Sequence, residues 1–269
     1  MRRPFAGLAA ECDWVALREI VPAATVELRT SDRREVTLAT VLPMAAGAMV
    51  RVDGRVLLGL QTTVSSGDVA RDLGLALSTA LASDAGTVVE ASAAPPDAPR
   101  LHDLLDPDGA FEVVVRPGFD FWLEGVDTET GPADAAEVAA SMERANAGVT
   151  PTARLTTVDA AYWAQLADRT ALRWVLPQDE EPLLDALARL HTDGGLSLGA
   201  GTRFIGTFRA QGLLVPVWDL AMGTSADAAE EPAADFRRRL DQALSVSGPL
   251  TSAQRHARAG LQTRQLTLR

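Results

Sequence analysis

Gly195-Leu196-Ser197-Leu198-Gly199 spells G-x-S-x-G, the pattern in which a sharp strand-to-helix turn exposes a nucleophilic serine. Here the expected order is helix, glycine-rich loop, strand. The only downstream histidine is His256, on a basic tail, so the pattern reads as a connector. The wider loop Asp193–Arg203 offers different chemistry. Gly194, Gly195, Gly199 and Gly201 can turn backbone N–H groups towards one anion, with Arg203 supplying charge. These five are the anion-binding candidates, although the loop lacks G-x-G-x-x-G spacing and does not open a helix.

His102, His191 and His256 lie far apart, and none has a metal partner three or four residues on. His102-Asp103 with Asp106 and Asp108 is the one local His/carboxylate cluster. Asp106-Pro107-Asp108-Gly109 matches part of a calcium loop but lacks the closing Glu, so it reads as a turn. Phe119-Asp120-Phe121-Trp122 has no neighbouring cation and reads as core aromatics rather than a base-stacking platform. No catalytic residue, metal or cofactor is assigned.

All 25 basic residues are Arg. Without Lys there is no P-loop, no Schiff-base enzyme and no kinase of the usual type. GC-rich codon usage accounts for the bias. A single cysteine, Cys12, excludes an internal disulfide framework and multi-cysteine zinc sites. No apolar run is long enough to span a bilayer and no leader pattern opens the chain, so a cytoplasmic protein without membrane insertion is expected. The net charge of −11 argues against a general nucleic-acid binder. It conceals an acidic middle, Glu90–Glu143, and a basic end from Asp235 to Arg269. Arg255, Arg258, Arg264 and Arg269 are the partner-binding candidates. They are expected to dock on the acidic middle, or else to meet a protein partner, RNA or the ribosome.

The elements that would position these groups occur twice. Val41-Leu42-Pro43 precedes a hairpin (Ala48–Val52, Asp53-Gly54, Arg55–Leu60) and a helix at Asp68–Leu81. Val175-Leu176-Pro177 precedes a second hairpin (Arg203–Arg209, Gln211-Gly212, Leu213–Leu220) and a helix at Ala233–Leu244. A Trp-bearing helical segment stands before each, around Trp14 and Trp163. Asp13 caps the first of these, and Thr156-Thr157-Val158-Asp159 has the form of a capping box for the second. Helices are also expected at Asp134–Asn146 and Glu180–His191. A buried strand is expected at Phe111–Val115. Pro216, inside a strand, places that strand at a sheet edge or a bulge. Thr251-Ser252-Ala253-Gln254 opens a short Arg-rich helix that Gly260 closes.

Four stretches together resemble an uncharacterised actinobacterial family of unknown function over nearly the whole chain. They are Arg3-Pro4-Phe5 through Trp14–Glu19; Gly118–Leu123; Leu172–Pro177 on to Leu187–His191; and Gly201–Phe204 to Leu214–Leu220, with Arg258–Leu261 and Arg264–Arg269 at the tail. Members carry SecA-like translocase or topoisomerase labels that fit this chain badly. The first implies several cysteines or a P-loop Lys. The second implies a nucleophilic tyrosine at a metal site, whereas Tyr162 stands alone. The strand–turn–strand units are also similar to the N-terminal module of the SseB family. The resemblance implies no activity.

The expectation is an α+β protein of two related hairpin-rich lobes with helices on one side, a pseudo-repeat. The lobes span residues 1–148 and 149–250, followed by a basic tail at 251–269. Its function is unknown. A non-enzymatic binding or adaptor protein is the first reading, and an enzyme or ligand-binding protein using the 193–203 loop on a small anion or nucleotide is the rival.

Overall fold

The computed structural model describes residues 3–122 and 142–263. Two units, Met1–Thr150 and Pro151–Arg269, each carry one sheet. The fold is α+β.

In the first unit, α1 (Glu11–Glu19) buries Trp14, Val15, Ala16 and Leu17. Asp13 lies inside this helix, buried, and is not its cap; Ala10 precedes the helix in left-handed backbone. Six strands follow: β1 (Ala24–Arg29), β2 (Glu35–Ala39), β3 (Ala48–Val50), β4 (Val56–Gly59), β5 (Val88–Val89) and β6 (Val114–Val115). Their order is β5-β3-β4-β2-β1-β6. β4 is buried at every residue, as the continuous run Val-Leu-Leu requires of a strand covered on both faces. Helix α2 (Val69–Leu81) presents Val69, Leu73, Leu77 and Ala80 to the core, the spacing expected of one helical face. Its Asp72 ties two loops down by accepting from Ser65 Oγ, Ser66 N and Ala94 N at 2.9–3.0 Å. Burial opposes the charge on Asp72, but these hydrogen bonds outweigh it and hold its carboxyl below the ordinary range. A one-turn helix, α3 (Leu101–Leu104), packs beside α2. Phe119, Phe121 and Trp122 stack together and pack with Leu42 and Leu57 as core aromatics. Of the strand expected over Phe111–Val115, two residues form, and Val114 is exposed rather than buried. Residues 142–146 are helical; the rest of that expected helix, like Arg264 and Arg269, lies outside the described residues.

The second unit contains β7 (Thr152–Arg154), β8 (Ala161–Gln165), β9 (Thr170–Trp174), α4 (Glu180–Thr192), β10 (Arg203–Ala210), β11 (Leu213–Leu220), α5 (Ala226–Ser245) and α6 (Ser252–Thr263). The sheet order is β10-β11-β9-β8-β7, antiparallel throughout. Trp174, Trp218 and Phe236 meet at ring separations of 4.9–6.4 Å and centre the core. Gln211 and Gly212 both take positive φ, as the tight turn between β10 and β11 demands.

Five expectations fail here for physical reasons. Trp163 lies on a strand, β8, not a helix. Thr156 and Thr157 cap nothing; both backbone N–H groups and both hydroxyls bind the Glu230 carboxylate of α5 at 2.6–3.1 Å. Helix α5 begins at Ala226, with Ser225 Oγ accepting from Ala228 N, and runs through Pro232 rather than starting after it. Pro216 sits in β11, an inner strand. Its missing donor falls where pairing with β9 stops at Val217–Arg173, short of the Leu176–Leu214 bridge. In α6 the Thr251/Gln254 capping box forms at 2.9 and 3.2 Å, but the helix passes through Gly260 to Thr263.

The two units share a strand order, hairpin–strand–strand, and differ in sense. β4 runs parallel to β2, whereas β11 runs antiparallel to β9. Helix α4 is the cause. Its 13 residues carry the chain about 20 Å back along the sheet before β10 begins, so the second hairpin enters from the opposite end. Equal hydrophobic patterns here do not make superposable modules.

Candidate protein-docking surface

The residues with obvious chemistry are tied into the structure. In the 193–203 loop, the N–H groups of Gly194, Gly195, Leu198, Gly199 and Thr202 donate to His191 O, Leu190 O, Thr202 Oγ1, Ser197 Oγ and Gly199 O. The loop faces a cation with its carbonyls. Arg239 donates to Gly195 O and Ser197 O. Trp218 Nε1 donates to Leu196 O at 2.7 Å. Gly199 and Gly201 occupy positive φ, and Arg203 pairs with Asp219 at 2.8 Å. Ser197 Oγ bonds Gly199 O and Thr202 Oγ1, neither of which is a general base.

Of the tail candidates, Arg255 and Arg258 lie within the described residues, and the contacts found for them are within their own unit. Ala257 and Leu261 are buried on the core, and Arg258 pairs with Glu181 and Asp185 of α4 at 2.5 and 2.7 Å. Arg255 donates to Leu250 O. At the start of α4, hydrogen bonding from the Arg209 guanidinium of β10 holds Glu180 below the ordinary carboxylate range, and Arg209 is itself pushed up by that pair. Among the described residues, no group of three or more His, Cys, Asp or Glu is placed to hold a metal ion, and no helix is long and apolar enough to cross a membrane.

What stands out is apolar and exposed. Met44 is 88% exposed, Val52 70% and Val88 42%, all around the β3–β5 side of the first sheet. Met44 and Ala45 both take positive φ, 56° and 53°, inside a one-turn 3-10 segment. For side chains with a Cβ that conformation costs about 1–3 kcal/mol each. The turn is over-determined. Ala45 N donates to Leu42 O, Ala46 N to Pro43 O, and Gly59 N to Gly47 O at 2.9–3.1 Å. Gly59 permits the fit, because a Cβ there would lie 2.4 Å from Ala46 O. The backbone is therefore held in a strained shape that puts a methionine into solvent.

Two concavities flank this turn. One, about 360 Å³, is lined by Met44, Ala46, Thr63, Val88 and Glu90. The other, about 190 Å³, is lined by Pro43, Met49, Val52, Gly86 and Trp122. Trp122 is fixed there by Nε1 donating to Val41 O at 2.9 Å. The charge next to Val52 is neutralised locally. Asp53 accepts Arg55 N and pairs with the Arg55 guanidinium, and that backbone bond above all keeps its carboxyl below the ordinary range. Glu90 is the one charged residue lining the larger concavity, and it has no partner among the described residues. The only sequence signal for the patch is a methionine set in the small-residue turn Pro43–Gly47; its exposure is a tertiary property.

No curated protein matches the chain, and neither does any solved structure. A family model matches residues 4–269, almost the whole chain, and describes its members only as a family of unknown function. By that match the chain belongs to DUF5926, a family of unknown function.

Proposed function

We propose that this chain is a non-enzymatic binding or adaptor protein, which docks a protein partner on the Met44–Val52–Val88 surface of its first unit. The observation that carries the reading is Met44. A strained, over-determined turn holds a flexible apolar side chain in water, a loss that a partner would recover: about 1.5–3 kcal/mol for each such side chain fully buried. Methionine suits the role because its unbranched thioether adapts to an irregular pocket. The partner is a protein surface with an apolar pocket for Met44 and a basic group opposite Glu90, by charge complementarity. A cytoplasmic, actinobacterial setting belongs to the same proposal, as does the likeness of the hairpin units to the SseB module. The RNA- or ribosome-directed alternative rests on Arg255 and Arg258, which bond within their own unit. The small-anion alternative rests on a loop whose carbonyls face Arg239.

The test compares Met44→Asp with Met222→Asp, a control at a residue 77% exposed in the second unit. Asp tolerates left-handed backbone, so the first variant keeps the turn. Quantitative mass spectrometry of native-lysate pulldowns should show proteins retained by wild type and Met222→Asp and lost with Met44→Asp. Identical capture by all three refutes the reading. A wild type that is dimeric in light scattering, with a monomeric Met44→Asp, assigns the surface to a second copy instead and refutes the partner.

A further inference from the structure

Beside Met44 the first sheet also has an open backbone edge. The sheet ends at β5, which has β3 as its strand neighbour. Val50 N donates to Thr87 O at 2.8 Å and Gly47 N to Val89 O at 2.9 Å, so residues 87 and 89 turn their carbonyls towards β3. Backbone groups alternate in direction along an extended chain. Val88 and Glu90 therefore turn their N–H and C=O groups away from the sheet, and no other element bonds to them among the described residues. The chain stays close to β3 past Val89, since a Cβ at Gly47 would lie 3.3 Å from Ala91 Cα. No proline interrupts residues 87–91 to block a further strand.

By the same alternation the side chains of Val88 and Glu90 share a face. Both line the concavity of about 360 Å³ beside Met44, Ala46 and Thr63, and Val89 does not. Val88 is exposed and apolar. Glu90 is exposed and charged, and no ion pair or hydrogen bond engages its carboxylate among the described residues. The edge offers two outward residues, so backbone pairing alone holds little. An added strand needs side-chain contacts as well, and this face sets their pattern: apolar against Val88 and basic against Glu90, two residues apart.

We infer that the partner enters as an extended peptide strand added along β5, with an Arg or Lys opposite Glu90 and an apolar residue, two positions away, opposite Val88 in the concavity beside Met44. This rests on the reading of the Met44 surface as a docking site and names how it is used. Two observations select the occupant together. The outward backbone groups of Val88 and Glu90 take a main chain, and the exposed Glu90 carboxylate takes a basic side chain by charge complementarity. A folded partner face without a free strand would leave those backbone groups to water.

The probe is a fluorescein-labelled peptide, Gly-Val-Thr-Arg-Thr-Val-Gly. With its Arg opposite Glu90, a Val falls opposite Val88 whichever way the strand runs. Fluorescence anisotropy should show saturable binding to the full chain. The same peptide fully N-methylated, which cannot donate, and one with Glu in place of Arg should each bind about fivefold more weakly or worse. Val88→Pro removes one outward N–H and leaves the pairing of residues 87 and 89 with β3, a place where an edge strand accepts proline; it too should weaken binding about fivefold. In wild type, independently of any variant, the Val88 and Glu90 amides should exchange hydrogen about tenfold more slowly when the peptide saturates the protein. Equal binding of the N-methylated peptide, unchanged exchange at Val88 and Glu90, or no binding at about 1 mM peptide overturns the inference. The parent reading fails separately. Lysate proteins lost with Met44→Asp but retained by Val88→Pro leave the docking surface standing and overturn strand addition, whereas proteins retained by both variants refute the surface itself.

Discussion

Two glycines in helices make opposite predictions for the same substitution. In Gly260→Ala, on α6, the new Cβ meets nothing within 4 Å among the described residues. The helix then gains what alanine is worth over glycine in a helix interior, about 1 kcal/mol. In Gly74→Ala on α2 the same gain is available, but the Cβ would sit 2.2 Å from Pro99 O, 2.8 Å from Arg100 C and 2.9 Å from Leu101 N. All three are backbone. An ordinary contact begins near 3.4 Å, so α2 and the 99–101 segment must part by roughly 1.2 Å. That segment is anchored on both sides. Leu101 is fully buried, Arg100 pairs with Asp68 at 2.6 Å, and Arg71 donates to Ala98 O. Overpacking against such a neighbour costs about 3 kcal/mol, which leaves a net loss of about 2 kcal/mol after the helical gain. Equilibrium urea unfolding, followed by far-ultraviolet circular dichroism and tryptophan fluorescence, measures both. The two sites lie in different units, so the double variant should show the sum of the single effects. A Gly74→Ala protein as stable as wild type would show that α2 and the 99–101 segment do not approach as closely as described.

Two further predictions concern the second unit. Glu230→Ala should cost about 1 kcal/mol, because Thr156 and Thr157 lose a shared acceptor but are exposed, so water takes over their donors. In the wild type, although burial opposes it, the bonds from those threonines hold Glu230 below its ordinary value of 4.5. The unfolded chain therefore binds the proton first, so this stability is complete above about pH 4.5 and is lost as pH falls through the depressed value; acid titration of the variant by circular dichroism should be flatter there. For α6, Leu261→Ala should cost about 2–3 kcal/mol and be insensitive to salt, while Arg258→Ala should cost about 1 kcal/mol and converge on wild type at high salt in urea titrations. The reverse ranking would make α6 an ionic rather than an apolar attachment.

Local rules were legible where the physics is local. The periodic faces of α2 and α4, the positive-φ turns at Gly54 and Gln211-Gly212, and the Thr251/Gln254 box all form from residues within a few positions of each other. The misplaced ends of α1, α5 and α6 are local errors; the larger failures are long-range. Tyr162, Trp163 and Leu166 have a spacing that a helix would use, yet the first two lie on β8 because β7 and β9 pair with it on either side. Thr156 and Thr157 look like caps, but their acceptor is Glu230, more than 70 residues away. Apolar pattern records which face is buried and not which way a strand runs, so the doubled motif hid the reversed second hairpin. The proposed docking surface was illegible for the same reason: Met44 reads as any core methionine until Gly59 and Ala46 show where the turn must lie.

The absence of lysine acquires structural meaning in the hydrogen bonds. Guanidinium groups close off backbone carbonyls throughout both units: Arg18 on Leu60, Arg34 on Leu81 at the end of α2, Arg71 on Ala98, Arg189 on Gly248, and Arg239 on Gly195 and Ser197. A planar fork with several donors can reach two carbonyls at once, as Arg239 does, while stacking over Phe236 at 5.4 Å. An ammonium would satisfy fewer of these acceptors, whatever codon bias first supplied the arginines. The effect on the surface is asymmetric. Many cations turn inward to loop ends, while acids such as Glu27, Glu35, Glu90 and Asp108 remain facing solvent. A chain built this way has little positive charge to offer a phosphate or an RNA. What it presents instead is an apolar knob beside Glu90, and the partner proposed for it is one that brings the positive charge itself.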